Sequence, residues 1–232
     1  MNIDRFARQS IVLGEKAQKE LSEKRVVVIG CGATGSYISN YMVRIGIRNI
    51  VIVDRDFVEE SNLHRTLFSK DDINEPKASS LAEKLKEIYG DVNVEYIIDD
   101  INPKNIEKIV ENSDLIMDGT DNMYTRYLIN DVSIKLNIPW IYTGILAKYG
   151  MTMPIIPKKS ACYRCVFTEP PSPGSLPTCE TAGILGTVPP LAAAMAVNEG
   201  INILTNENVS YNKISYIDAS NNEIKKIEIS KN

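Results

Sequence analysis

An apolar run, Val26-Val27-Val28-Ile29, breaks at Gly30-Cys31-Gly32-Ala33-Thr34-Gly35. A second run, Asn49-Ile50-Val51-Ile52-Val53, closes on an acid, Asp54. The order reads as strand, glycine turn, helix, strand, acid, which commits the start of the chain to a parallel βαβ unit. Such a unit suits a nucleotide. Glycines let the backbone approach phosphate, the helix N-terminus offers free N–H groups, and the acid accepts ribose hydroxyls. The glycines alone would serve helix–strand packing equally well. Asp54, about 20 residues beyond the turn at a strand end, shifts the reading to nucleotide binding. ATP and NAD both fit at this point.

The alternation continues along the chain. The segment 4–21 reads as short helical pieces. The spacing predicts a helix over 35–45, stopped by Gly46, and a polar stretch over 54–75. A helix over 77–89 carries Ala78, Leu81, Ala82, Leu85 and Ile88 at helical spacing. A strand over 92–98, a short helix over 105–110, a strand over 114–118, a helix over 124–136 and a strand over 139–143 follow. Strands alternating with helices imply right-handed crossovers and a mostly parallel sheet. After Gly144 the pattern changes to an extended strand over 148–157. A proline-, glycine- and serine-rich stretch over 168–178 has loop composition. A helix over 188–204 and a terminal hairpin around Asn221-Asn222 complete the chain. The expected fold is α/β: a Rossmann-like, mostly parallel sheet with helices on both faces, extended by antiparallel strands near the C-terminus.

Composition removes several function classes. The 232 residues carry a formal net charge of -4, which gives no reason to expect nucleic acid. No apolar run approaches the roughly 18 residues that span a bilayer. Met1-Asn2-Ile3-Asp4-Arg5 is polar and leads into no signal-like segment, so a cytoplasmic location is the default expectation. Four cysteines are too few for a disulfide scaffold at this length, which points to thiol chemistry or metal binding. The single histidine, His64, excludes any mechanism needing two imidazoles.

The charged candidates each have a plain structural use as well. Asn62 and Arg65 lie in a polar loop, where arginines are usually solvated. Lys77 starts a helix, where a cation meets the unfavourable end of the dipole and a nearby anion would repair the mismatch. Asp121 follows a strand end, where α/β sheets present their ligands, and is equally placed to cap the helix that begins near Met123. Cys162-x-x-Cys165 has half the spacing of a zinc site. No cysteine follows Cys179, so zinc is disfavoured against a free pair, a disulfide or a redox-labile dithiol. Cys179, between a proline-rich stretch and Gly183 and Gly186, reads either as a mobile nucleophilic thiol or as a loop-borne cysteine.

Seven motifs then occur in order: Arg5-Phe6-x-Arg8-Gln9, Gly30-x-Gly32-x-x-Gly35, Asp54-x-Asp56-x-Val58-x-x-Ser61-Asn62-Leu63-x-Arg65, Pro76-Lys77, Asp118-x-Thr120-Asp121-Asn122-x-x-x-Arg126, Cys162-Tyr163-Arg164-Cys165 and Thr178-Cys179-x-x-Ala182-Gly183. Together they resemble the ThiF/MoeB family, relatives of ubiquitin-activating enzymes, from Arg5 to about Ile229. The resemblance implies one ThiF-type adenylation domain over 1–232, with a mobile cysteine-bearing crossover loop at about 166–187. It implies ATP- and Mg²⁺-dependent adenylation of the C-terminal glycine carboxylate of a small ubiquitin-like or sulfur-carrier protein ending in Gly-Gly. Pyrophosphate leaves, and the carrier is activated for sulfur transfer or conjugation.

By the same resemblance, Gly30, Gly32 and Gly35 cradle the nucleotide and Asp54 holds the ribose. Asp56, Asn62 and Asn122 stand in the binding motifs. Arg65 and Lys77 contact phosphates, and Asp121 organises Mg²⁺. Arg8 reaches into a partner subunit's site, so a homodimer is implied, and a sulfurtransferase is the implied companion of a sulfur carrier. Cys179 forms a covalent intermediate in some members and is dispensable in others. Zinc on Cys162 and Cys165 lacks the second C-x-x-C that many members supply near the C-terminus. Competing readings are an NAD-dependent oxidoreductase on the same βαβ unit, a non-catalytic binding subunit of the same family, and an enzyme that adenylates another carboxylate, such as a peptide or tRNA-borne acid. Thiamin, molybdopterin, tRNA thiolation and protein conjugation all use this chemistry, so no pathway is named.

Overall fold

The computed structural model describes residues 3–170, 172 and 179–231. After a 3-10 turn at Ile3–Phe6 come α1 (Ala7–Leu13), α2 (Glu15–Glu23), β1 (Arg25–Ile29), α3 (Ala33–Arg44) and β2 (Asn49–Val53). Two further 3-10 turns, Glu60–Arg65 and Lys70–Asp72, lead to α4 (Lys77–Ile88), β3 (Asn93–Ile97), α5 (Ile106–Val110), β4 (Leu115–Asp118) and α6 (Met123–Leu136). The chain continues with β5 (Trp140–Leu146), β6 (Tyr149–Ile155), the short helical turns α7 (Tyr163–Val166) and α8 (Cys179–Ala182), α9 (Val188–Thr205), β7 (Lys213–Asp218) and β8 (Glu223–Glu228).

One sheet contains the strands in the order β3-β2-β1-β4-β5-β6-β7-β8. Neighbours from β3 to β5 pair in parallel, and β5 to β8 pair antiparallel. The strand period sorts the core. Val26 and Val28 enter one cluster with Ile38, Met42, Leu81 and Ala196, from α3, α4 and α9. Val27 and Ile29 enter the other with Ile106, Ile129, Trp140 and Tyr163, beside α5 and α6. A strand buried on both faces has to be apolar throughout, which is why Val26-Val27-Val28-Ile29 shows no alternation. At the opposite edge β8 is exposed along its whole length, and Lys225 and Lys226 discourage pairing there.

Three details depart from the sequence expectation. α3 begins at Ala33, so Gly35 lies within its first turn. β5 runs on to Leu146, because its pairing with β6 persists from Trp140↔Ile155 to Leu146↔Tyr149. Cys179–Ala182 is a helical turn where the sequence reads as loop. The chain just after it is tied to the β5–β6 turn by Ala147 N–H to the Gly183 carbonyl and Leu185 N–H to the Ala147 carbonyl. Of the expected mobile stretch over about 166–187, residues 171 and 173–178 lie outside the described residues.

Candidate active site

The strand order reverses direction between β1 and β4. α3 follows β1 onto one face and α6 follows β4 onto the other, so the carboxyl ends of these two strands open a crevice between them. Gly30 sits at φ +91, and a Cβ there would stand 2.6 Å from the Gly119 carbonyl oxygen. A Cβ on Gly35 would collide with the Gly30 carbonyl. These glycines let the two turns touch. Gly32 is different: nothing lies within 4 Å of where its Cβ would be, and it lines a cleft of about 720 Å³. Gly35 does not line that cleft; it packs beneath it.

The β2 end supplies most of the charge. Asp54 accepts the Cys31 N–H at 2.6 Å and the Asp56 N–H at 2.8 Å, binding the glycine turn to the next loop. Burial pushes its carboxyl above the ordinary range, while those two N–H groups and the charge of Lys77 pull it part of the way back. Lys77, at the start of α4, reaches Asp56 at 3.1 Å. Asp56 is thus the anion that offsets the helix dipole. Arg65 donates to the Ser61 carbonyl at 2.6 Å and has no carboxylate partner among the described residues. Asn62 is buried below it and accepts the Glu59 N–H. All of these charged groups line the cleft, as does Asn62.

The β4 end is held by a buried ion pair. Asp118 is fully buried and accepts the Thr120 N–H and hydroxyl, the Thr143 N–H and, at 3.0 Å, Nε of Arg126. Arg126 Nη2 donates to the Thr120 and Thr143 carbonyls. Burial alone would lower the guanidinium's pKa, but the Asp118 charge outweighs it and holds it above its usual value. The helix cap is Asn122, whose side chain accepts the Thr125 N–H at 2.9 Å. Asp121 is therefore not the cap. It is exposed at the cleft, with no hydrogen bond or ion pair among the described residues. Asn122→Ala is expected to cost about 1 kcal/mol of stability, read as a lower urea midpoint with an unchanged slope.

Other candidates lie apart. Arg8 is exposed on α1 and does not line the cleft. Cys162 and Cys165 approach to 3.7 Å between sulfurs, also outside the cleft lining. Among the described residues no group of three metal-ligating side chains forms. The Cys179 side chain lies outside the described residues. Sequence reasoning missed Asp99 and Asp100, which line the cleft just past the end of β3; their place after a strand was the available signal. It also left out an aromatic wall of Tyr142, Tyr163 and Phe167.

The profile of the ThiF family matches residues 6–232. The chain belongs to the ThiF family. It is 36% identical over 208 residues to the SAMP-activating enzyme E1 of Haloferax volcanii, covering 88% of this chain and 77% of that protein. It is 35% identical over 208 residues to the sulfur carrier protein ThiS adenylyltransferase of Bacillus subtilis, covering 88% of this chain but only 61% of the relative. The crystal structure of E. coli MccB with ATP superposes with a TM-score of 0.86 at 23% identity, over 100% of this chain and 73% of that one. That likeness concerns the fold. Among the described residues of this ThiF-family chain, no helix is long and apolar enough to cross a membrane.

Proposed function

We propose that this ThiF-family protein adenylates the C-terminal carboxylate of a small ubiquitin-like or sulfur-carrier protein, using ATP. The observation that carries the reading is one cleft lined by the glycine turn, an acid at a strand end, the cations Arg65 and Lys77, and Asp121, which has no partner among the described residues. The names of its relatives, a SAMP-activating E1 and a ThiS adenylyltransferase, support it. The oxidoreductase reading leaves Arg65, Lys77 and Asp121 without a use.

The chemistry follows from charge. The ribose is held at Asp54, and the phosphates run over the glycine turn and the α3 N-terminus, whose free N–H groups face them. A carrier carboxylate, already ionised at neutral pH, attacks the α-phosphorus, so no general base is required. Pyrophosphate leaves with its charge held by Arg65 and Lys77. For Lys77 to serve, it exchanges Asp56 for phosphate. Asp121 fits a Mg²⁺ ligand, because that ion takes one or two carboxylates and completes its shell with phosphate and water. When bound, Mg²⁺ supplies neutralisation of phosphate charge. Arg8, on a helix that buries none of its residues and exposes Ile11 and Val12, is available to a second copy, which supports a homodimer.

The test is ATP–pyrophosphate exchange with a carrier ending in Gly-Gly, found by pull-down from cells. Exchange that requires the carrier is the expected result, and its absence defeats the reading. Arg65→Ala is expected to slow exchange at least about 100-fold, as loss of one preorganised donor does. Near-normal exchange in that variant removes Arg65 from the mechanism.

A further inference from the structure

Five buried side-chain polar atoms lack a hydrogen-bond partner among the described residues: those of Ser39, Trp140, Thr143, Thr152 and Tyr163. Of these residues Tyr163 alone lines the cleft. Its ring is wholly buried, 5.2 Å from Tyr142 and 4.6 Å from Phe167, and its backbone N–H is fixed on Asn130 at 2.9 Å. A buried hydroxyl normally finds a partner, and phenylalanine would fill an apolar slot better. Arg126 lies over the neighbouring ring, with its guanidinium carbon 5.1 Å from the Tyr142 centroid, and its charge acts directly on the Tyr163 hydroxyl. It is 9% exposed and also lines the cleft. Nε and Nη2 are committed to Asp118, Thr120 and Thr143, while Nη1 has no partner among the described residues. Two rigidly mounted donors on the cleft wall, where the β4 and β5 ends meet, are thus without a partner among the described residues.

We propose that Arg126 Nη1 and the Tyr163 hydroxyl form a carboxylate-binding subsite that takes the terminal carboxylate of the acyl substrate. The identity of that substrate rests on the adenylation reading. One carboxylate oxygen accepts from the two donors and the other faces the α-phosphorus. On attack the new O–P bond forms, the bond to pyrophosphate breaks, and no proton moves. The donors then hold the carbonyl oxygen of the mixed anhydride. Because Asp118 already balances Arg126, the subsite orients the carboxylate without the pull of an uncompensated cation, which would blunt its attack.

The experiment compares a synthetic peptide ending in Gly-Gly with its C-terminal amide, by calorimetric titration of the ATP-free protein. The wild type is expected to bind the free acid about tenfold tighter or more, as hydrogen bonds to a charged group allow. Tyr163→Phe is expected to lose most of that preference, bind ATP as before and melt no lower than wild type. A structural tyrosine would leave the preference intact. Equal affinity for acid and amide, binding of neither, or an undiminished preference in Tyr163→Phe overturns the subsite. Carrier-dependent exchange is measured alongside. Loss of exchange with the preference intact defeats adenylation and leaves a carboxylate site; exchange without the preference defeats the subsite alone.

Discussion

Arg126→Ala is expected to lower the melting temperature by roughly 6–20 °C, from about 3–5 kcal/mol of lost stability in a chain of this size. Removing one member of a buried ion pair leaves the other charged and unpaired, and that residual charge dominates the cost. Asp118 is fully buried, and its remaining partners, the Thr120 and Thr143 N–H groups and the Thr120 hydroxyl, do not neutralise it. Two carbonyls, of Thr120 and Thr143, lose their donor as well. Asp118→Asn should be destabilising for the converse reason, and the double variant should cost less than the sum of the two singles, since neither charge then remains. Thermal and urea unfolding of the three variants checks this. Additive losses would mean that the pair is not coupled, and the β4–α6 turn would need another anchor.

Asp121→Asn is expected to do the opposite. ATP–pyrophosphate exchange should fall on the order of 1,000-fold, because a charge that balances the transition state is lost from a preorganised site. Stability should stay within about 0.5 kcal/mol, as for surface substitutions away from structural contacts. Asp121 is exposed and Asn122, not Asp121, caps α6. A variant that unfolds earlier yet exchanges normally would reverse the assignment. Within the nine residues from Asp118 to Arg126, stability thus rests on the Asp118–Arg126 pair, and Asp121 makes no hydrogen bond or ion pair among the described residues.

Much of the fold was legible because strand and helix periods are local. The apolar runs at 26–29 and 50–53 locate β1 and β2, and Ala78, Leu81, Ala82 and Leu85 mark the buried face of α4. The C-terminal strands were legible from the hairpin around Asn221-Asn222. The helical turn at Cys179–Ala182 was not, because the stretch has loop composition and the segment after it is held by distant backbone groups at Ala147. In the site, the strand-end acid and the glycines announced themselves by position. Asp56 as the partner of Lys77 did not, since the two stand 21 residues apart and meet through a loop.

The sequence by itself determined the alternating architecture, the crevice at the glycine turn and the family resemblance, because each is written in residue spacing along a few turns of chain. Only the tertiary structure decided which charged groups are already spent. Lys77 and Arg126 are both paired with acids, while Asp121 has no partner among the described residues. Asp118 and Arg126 meet where β4 turns into α6, and Asp56 and Lys77 meet across a loop; which charges close into pairs depends on distances through space, which residue spacing alone does not give.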